Sequence, residues 1–150
     1  MVVHSPDRLS TLYDQDETAW LEAMAELVRQ HRLDELDLPH LSEYLTDMAR
    51  RDRREVKSRL TVLIAHILKR VHQPERRSGG WRATVEAQRQ ELVGLLESKT
   101  LRHHAEAVLP SAYADGVRQA AAETERPVSA FPAECPYTLD KLEGFDLLAE

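Results

Sequence analysis

A group of arginines around a tryptophan is the part of the sequence best suited to binding an anion. Arg76 and Arg77 lie in a predicted loop, and Trp81 and Arg82 follow at the start of the next predicted helix. The first turn of a helix presents unpaired backbone N–H groups, and guanidinium groups bind phosphate or carboxylate oxygens. The pattern predicts a site for an anion or an acidic partner. The alternative is that acidic parts of the same chain neutralise the positive charge of these arginines.

The charge of the chain is distributed as this alternative requires. The net charge is −6, yet residues 50–89 hold 12 Lys or Arg against 4 acidic residues, a local charge of +8. Residues 1–49 carry −8 and residues 90–150 carry −6. Because an acidic protein repels polyanions, we favour self-neutralisation. Binding of nucleic acid by the basic segment, with its expected sensitivity to salt, stays an open alternative.

A second candidate pair lies on the predicted central helix, where Arg59 and His66 are seven residues apart. Seven residues make about two helical turns, so the two side chains point the same way. The pair resembles the Arg–His spacing of HEPN-type ribonucleases. That resemblance implies that Arg59 would hold a phosphate and His66 would act in general acid–base catalysis. We favour the structural alternative, in which Arg59 pairs with Glu55 and His66 is hydrogen-bonded to a neighbouring carboxylate, because structural ion pairs outnumber catalytic ones.

The other reactive residues form no pattern that specifies a reaction or a metal. Cys135 is the only cysteine, which excludes an intramolecular disulfide and fits a reducing compartment such as the cytoplasm. Because Glu134 and Pro136 offer it no activation, we expect it to pack rather than to act as a nucleophile. His103 and His104 diverge by about 100° on a helix, and no His-x3-His or Cys-x2-Cys occurs. We expect no metal and no cofactor.

Apolar residues at three- to four-residue spacing predict five or six helices that position these groups. The first is expected over residues 12–31, capped by Asp14 or Asp16. A second begins after Asp37, with a proline in its first turn, and the third covers residues 52–72, with an uncertain break between them. The first helix's apolar stripe consists of Tyr13, Trp20, Met24, Leu27 and His31; the third helix's apolar face consists of Val56, Leu60, Leu63, Ile64, Ile67, Leu68 and Val71.

The second half of the chain is predicted to hold two more helices and an irregular end. A fourth helix starts at Ser78 or Gly80 and extends to residue 98, and Gln88 in its apolar stripe must reach the surface or make a buried hydrogen bond. A fifth starts near Thr100, and Pro110 should kink or divide it. Small residues at four-residue spacing follow Pro110 and predict close packing of a neighbouring helix. From residue 127 we expect an extended strap, anchored by Phe131 and Tyr137, and a short helix over residues 139–142.

Five segments of the sequence resemble a known family. They are residues 12–16 with Trp20, residues 34–38, residues 58–63 with 66–69, residues 73–78 with Trp81 and Arg82, and the segment 131–137 with the sequence FPAECPY. Together they cover nearly the whole chain in order, and they resemble the bacterial family catalogued as domain of unknown function 29. The resemblance implies a helical fold and no particular activity.

These observations predict an all-α, single-domain bundle of five to six helices over residues 1–150, with an irregular strap over about 127–150. We expect a non-enzymatic, cytoplasmic protein that binds another protein or forms a homo-oligomer. The alternative is nucleic-acid binding or ribonuclease activity that uses Arg59 and His66, or the 76–82 loop. No apolar stretch approaches the roughly 20 residues that cross a membrane, and the N-terminus lacks the pattern of a secretory signal, so no membrane association is expected.

Overall fold

The computed structural model describes residues 6–73 and 79–144 and confirms the all-α fold class. Within these residues there are six α-helices and no strand. The helices are α1 (Pro6–Gln15), α2 (Glu17–Arg29), α3 (Leu38–His72), α4 (Gly79–Leu95), α5 (Lys99–Thr124) and α6 (Leu139–Gly144), with short 3-10 helices at Leu33–Glu35 and Val128–Ala130. None of the helices described is both long and apolar enough to cross a membrane.

The described residues form two compact units that divide after Arg50. Unit 1 contains α1, α2 and the first part of α3, and unit 2 contains the rest of α3 with α4, α5 and α6. Helix α3 is continuous, so the break that the sequence left uncertain near residues 49–51 does not occur. The expected single domain over residues 1–150 stays a prediction.

Unit 1 begins with two helices where the sequence predicted one over residues 12–31. α1 starts at Pro6, because proline is well suited to the first helical position. Asp16 separates the helices: its backbone is not helical, and its carboxylate accepts a hydrogen bond from the N–H of Ala19 as the N-cap of α2. The prediction that His31 lies on the apolar stripe of the first helix was also wrong. α2 ends at Arg29, and His31 is exposed, with a left-handed φ of 55° in the turn that ends the helix.

The core of unit 1 is a small cluster around Trp20. The indole is fully buried, and its ring centroid lies 4.8 Å from that of Tyr13 and 5.9 Å from that of Tyr44. Leu9, Met24 and Leu27 complete the buried set. Trp20, Met24 and Leu27 therefore form the apolar stripe that the spacing predicted. Tyr13 packs against Trp20 from α1, so its placement on the same helical stripe was wrong.

Unit 2 is built on the apolar face of α3. Six of the seven residues predicted for this face are buried, whereas Val71, one residue before the end of the helix, is 57% exposed. Val85 and Leu92 of α4 pack into the same core, as does Leu96, directly after the helix. α4 ends at Leu95 rather than at residue 98, because Ser98 has extended backbone and caps α5 by accepting a hydrogen bond from the N–H of Leu101 at 3.2 Å.

Helix α5 packs closely against α3 through its small residues. Ala112, Gly116 and Ala120 are buried, as the four-residue spacing predicted. α5 continues through Pro110 as one helix, so Pro110 does not divide it, and the kink expected as the other possibility stays a prediction. Pro110 is exposed, and water can satisfy the carbonyl that its missing N–H leaves unpaired.

The segment after α5, residues 127–138, is irregular and is called the strap below. Phe131 is buried as predicted, and Tyr137 is partly buried against the same core. The hydroxyl of Thr138 accepts a hydrogen bond from the N–H of Lys141 at 3.2 Å, which caps α6. α6 then extends to Gly144, two residues beyond the predicted end.

Candidate functional site

A groove of about 740 Å³ lies between α5 and the strap, entirely within unit 2. Its lining is mainly apolar and comes from Pro110, Tyr113, Val117, Val128, Phe131 and Pro132. Arg118, Glu134 and Cys135 supply the polar part. A cavity of several hundred Å³ with an apolar lining and a few polar groups has the anatomy of a ligand or peptide site. This surface is called the strap groove.

The strap groove is held in shape by two contacts of the strap. The hydroxyl of Tyr113 on α5 donates a hydrogen bond to the carbonyl of Pro132 at 2.6 Å. Phe131, the neighbouring residue, inserts into the core with its ring edge-on to His72, at a centroid distance of 4.6 Å. Because Pro132 is hydrogen-bonded to α5 and Phe131 is buried in the core, the groove is already formed in the chain alone.

Cys135 lies in the wall of the strap groove and is half-buried. Burial raises the pKa of its thiol, against a smaller lowering effect of the backbone of Tyr137. The thiol also donates a hydrogen bond to the carbonyl of Tyr137. Burial also raises the pKa of Tyr137 to about 12. A protonated thiol is a weak nucleophile, so this environment supports the packing role expected for Cys135.

Arg59 lies in a second, polar depression of about 360 Å³ between α3 and α4. Its Nη1 donates to Oε1 of Gln88 at 3.0 Å, and its Nη2 lies 3.3 Å from Oε1 of Glu55. The pairing with Glu55 is the structural alternative predicted from the sequence. The bond to Arg59 gives Gln88, which is half-buried on α4, its hydrogen-bond partner. Arg51, Arg54, Ser58 and Val62 line the rest of this depression, which is called the arginine cleft.

His66 does not line the arginine cleft, although it lies on the same side of α3 as Arg59. The charged groups that affect His66 are Lys69 and Glu123, which form an ion pair with each other between α3 and α5. Among the described residues, the buried Nδ1 atom of His66 has no hydrogen-bond partner. The arginine cleft therefore contains Arg59 without His66, and the ribonuclease role of the pair stays a prediction.

The surroundings of His66 give a testable pH dependence. Burial, and secondarily Lys69, lower its pKa below the ordinary value of 6.5, against a smaller opposing effect of Glu123. Below that value the unfolded chain binds a proton that the folded chain does not, so stability falls as the pH decreases. Between pH 7.5 and 5.5, the free energy of unfolding in urea should fall less for His66→Gln than for the unchanged protein. Equal losses in the two proteins would contradict this account.

The other residues predicted to bind an anion are placed as follows. Arg76 and Arg77 lie outside the described residues. Trp81 is partly buried, and the guanidinium carbon of Arg70 lies 5.3 Å from its ring centroid. Arg82 is exposed on α4. Trp81 thus acts at least partly as a packing residue of unit 2.

The basic segment is neutralised in part by acidic residues of unit 2. Lys57 lies 3.3 Å from Asp115, and Lys69 pairs with Glu123, so two of its lysines bind carboxylates of α5. Arg89 pairs with Glu86 on its own helix. Arg51, Arg54 and Arg82 are exposed. Within the described ranges there is no group of His, Cys, Asp and Glu side chains that could hold a metal.

One polar cluster was missed by the sequence reasoning. Asp37 is buried in unit 1, where its Oδ2 accepts a hydrogen bond from Nε1 of Trp20 at 3.1 Å and lies 2.7 Å from Nδ1 of His40. The ring of His40 stacks on Tyr13 at a centroid distance of 4.2 Å. The sequence predicted that the second helix begins after Asp37, and the histidine three residues later was the available signal for a polar partner of the Asp37 carboxylate. This cluster joins α2 to the start of α3.

Comparison with known proteins gives a single match. No curated protein and no solved structure matches the chain. The family model described as Domain of unknown function DUF29 matches residues 12–146, which is nearly the whole chain. This agrees with the helical segments quoted from the sequence and with the all-α fold. The chain belongs to the family Domain of unknown function DUF29.

Proposed function

We propose that this chain is a non-enzymatic protein-interaction domain whose strap groove binds an amphipathic segment of a partner protein. The single observation that carries the proposal is the preformed apolar groove between α5 and the strap. We also propose a cytoplasmic location, because the unpaired thiol of Cys135 is stable in a reducing compartment.

The apolar part of the strap groove suits large apolar side chains. Val128 is 55% exposed, although most of the other large apolar residues of unit 2 are buried. It lies beside Val117 and Phe131, whose side chains are almost fully buried below the surface. Protein interfaces gain most of their affinity from a few apolar or aromatic anchors that fill such pockets. One or two large apolar side chains of a partner would cover Val128.

The charges at the edge of the strap groove favour a cationic partner. Arg118 forms an ion pair with Asp115, so its charge is already neutralised. Glu134 is exposed and has no ion-pair partner among the described residues. The net charge of −6 acts in the same direction, because it attracts basic partners and repels acidic ones. The proposed partner segment therefore carries Lys or Arg next to its apolar anchors.

The groups that could perform chemistry at this groove are in unreactive states. Burial keeps the pKa of Cys135 raised, and the hydroxyl of Tyr113 is committed to the carbonyl of Pro132. A protonated thiol and a hydrogen-bonded phenol are poor nucleophiles and poor bases. Their state supports binding rather than catalysis at this site.

The substitution Val128→Asp tests this proposal. A charge placed in the floor of the apolar site should weaken binding of peptides selected against the unchanged protein from a displayed peptide library, by about tenfold or more. The selected peptides should combine large apolar residues with Lys or Arg. Binding should also slow the reaction of Cys135, the only cysteine, with a maleimide probe. Fluorescence polarisation and the rate of thiol labelling measure the two effects.

Val71→Asp provides the matched control, because Val71 is 57% exposed and lies outside the strap groove. It should leave peptide affinity unchanged, and both variants should fold, since neither valine is buried. An equal loss of peptide affinity in the two variants would contradict the proposal, and so would selected peptides that lack basic residues. A dimer of the unchanged protein that Val128→Asp dissociates would show that the occupant is a second copy of the chain instead.

A further inference from the structure

We propose that the arginine cleft between α3 and α4 binds the phosphate group of a small molecule. This inference is independent of the strap groove and of its proposed partner. The cleft combines three arginines with one hydroxyl and one amide side chain, namely Arg51, Arg54, Arg59, Ser58 and Gln88. These groups come from two helices of unit 2 that pack on a common core.

The positions of these residues follow from the helical repeat of α3. Residues at positions 51, 54, 55, 58, 59 and 62 recur at three- and four-residue spacing, so they share one side of the helix. Gln88 on α4 faces them, and its Oε1 accepts a hydrogen bond from Nη1 of Arg59. Because this oxygen is used, the NH2 of Gln88 stays a donor. The bond also fixes the Arg59 guanidinium at the base of the cleft.

The charge of the cleft is positive and only partly compensated. The carboxylate of Glu55 is its one acidic group, against three guanidinium groups, which leaves two positive charges. Glu55 lies next to Arg59, with 3.3 Å between Oε1 and Nη2. Arg51 and Arg54 are exposed, and neither forms an ion pair with any residue in 6–73 or 79–144. The two uncompensated charges match those of a phosphate dianion.

The chemistry of these donors favours phosphate. A guanidinium is planar, stays charged at any physiological pH and donates two parallel hydrogen bonds to a phosphate. The hydroxyl of Ser58 and the amide of Gln88 add neutral donors of the kind that complete phosphate sites. The cleft measures about 360 Å³, which suits a small phosphorylated molecule. Val62, half-buried in the lining, offers an apolar surface to an organic substituent.

Titration calorimetry with sodium pyrophosphate tests the inference. The unchanged protein should bind this probe, and the double variant Arg51→Gln/Arg54→Gln should bind it at least about tenfold more weakly, because two charge-assisted contacts are lost. Both arginines are exposed on a helix and glutamine is a good helix former, so the variant should fold normally. Titration with orthophosphate and with phenyl phosphate then separates a free anion from an organic phosphate.

The matched control removes the same charge elsewhere. Lys99→Gln/Lys141→Gln changes two exposed cations outside the cleft and should keep the affinity of the unchanged protein. An equal loss in both double variants, or the same heat when NaCl of equal ionic strength replaces pyrophosphate, would overturn the inference. So would binding of a single-stranded RNA through Arg51 and Arg54 without binding of pyrophosphate, which would indicate a nucleic-acid surface instead.

Discussion

Replacing Trp20 by alanine should destabilise unit 1 by about 3–5 kcal/mol, the usual cost of removing a fully buried large aromatic side chain. The indole is completely buried and contacts the rings of Tyr13 and Tyr44. Its Nε1 also donates to the buried carboxylate of Asp37. The substitution therefore opens a cavity and removes one of the two hydrogen-bond partners of that carboxylate.

Trp20→Phe separates the two contributions, because it keeps most of the ring packing and removes only the N–H donor. Leaving Asp37 without this donor should cost about 1–3 kcal/mol, so the order of stability is unchanged protein, Trp20→Phe, Trp20→Ala. Hydrogen exchange measured by mass spectrometry over residues 6–50 follows unit 1 directly. Leu45→Ala, at a side chain that is 59% exposed, provides a control with an expected cost near zero. A cost of less than about 1 kcal/mol for Trp20→Ala would show that this cluster does not hold unit 1 together.

The periodicity of the sequence predicted the elements of the fold because each helix buries one continuous face. The apolar face of α3 is the clearest case: its six predicted residues between positions 56 and 68 are buried, as the three- to four-residue spacing requires. The errors lie at the ends of this pattern. Val71 and His31 fit their stripes by angle, yet Val71 is exposed at the last turn of α3 and His31 lies beyond the end of α2. Spacing gives the face of a helix, and caps decide where that face stops.

Polar interactions between helices could not be predicted from residue spacing. The bond from Arg59 to Glu55 was predicted because the two residues are four apart on one helix. The bond from Arg59 to Gln88 joins residues 29 apart, and the bond from Trp20 to Asp37 joins residues 17 apart. Such pairs depend on how two helices pack, which the spacing within each helix does not contain. Gln88 was nevertheless recognised as a residue that needed a partner.

The strap groove could not be predicted from periodicity, because one of its two walls has none. Residues 127–138 contain no regular α-helix, and their path is fixed by individual contacts such as the hydrogen bond from Tyr113 to the carbonyl of Pro132. The sequence did predict that Phe131 would anchor this segment, since a large aromatic residue in an irregular stretch needs a core to bury it. It did not predict the space left between the anchored strap and α5.

Replacing Gly116 by leucine should destabilise unit 2 by about 3 kcal/mol or more, since even one added carbon has no room there. A Cβ at this position would lie 2.9 Å from Cγ2 of Ile64, 3.2 Å from its Cβ and 3.2 Å from the backbone oxygen of Thr61. These atoms belong to the backbone or to a β-branched side chain of α3, so they cannot turn away. The helices α3 and α5 would have to separate, which disturbs the core that both share. Urea unfolding followed through the fluorescence of Trp81, which packs against this core, measures the effect when the other tryptophan is removed by Trp20→Phe in both proteins compared.

Gly94→Leu is the matched control, because a Cβ at Gly94 meets no atom within 4 Å and this glycine also lies in a helix. There the substitution should stabilise the protein by up to about 1 kcal/mol, since leucine is a better helix former than glycine. Similar effects of the two substitutions would mean that close packing of α3 on α5 contributes nothing. A double-mutant cycle identifies the contact responsible: in an Ile64→Ala background, which removes Cγ2, Gly116→Ala should cost less than it does alone. A coupling energy near zero would place the conflict at the Cβ of residue 64 or at the backbone oxygen of Thr61, both of which Ile64→Ala leaves in place.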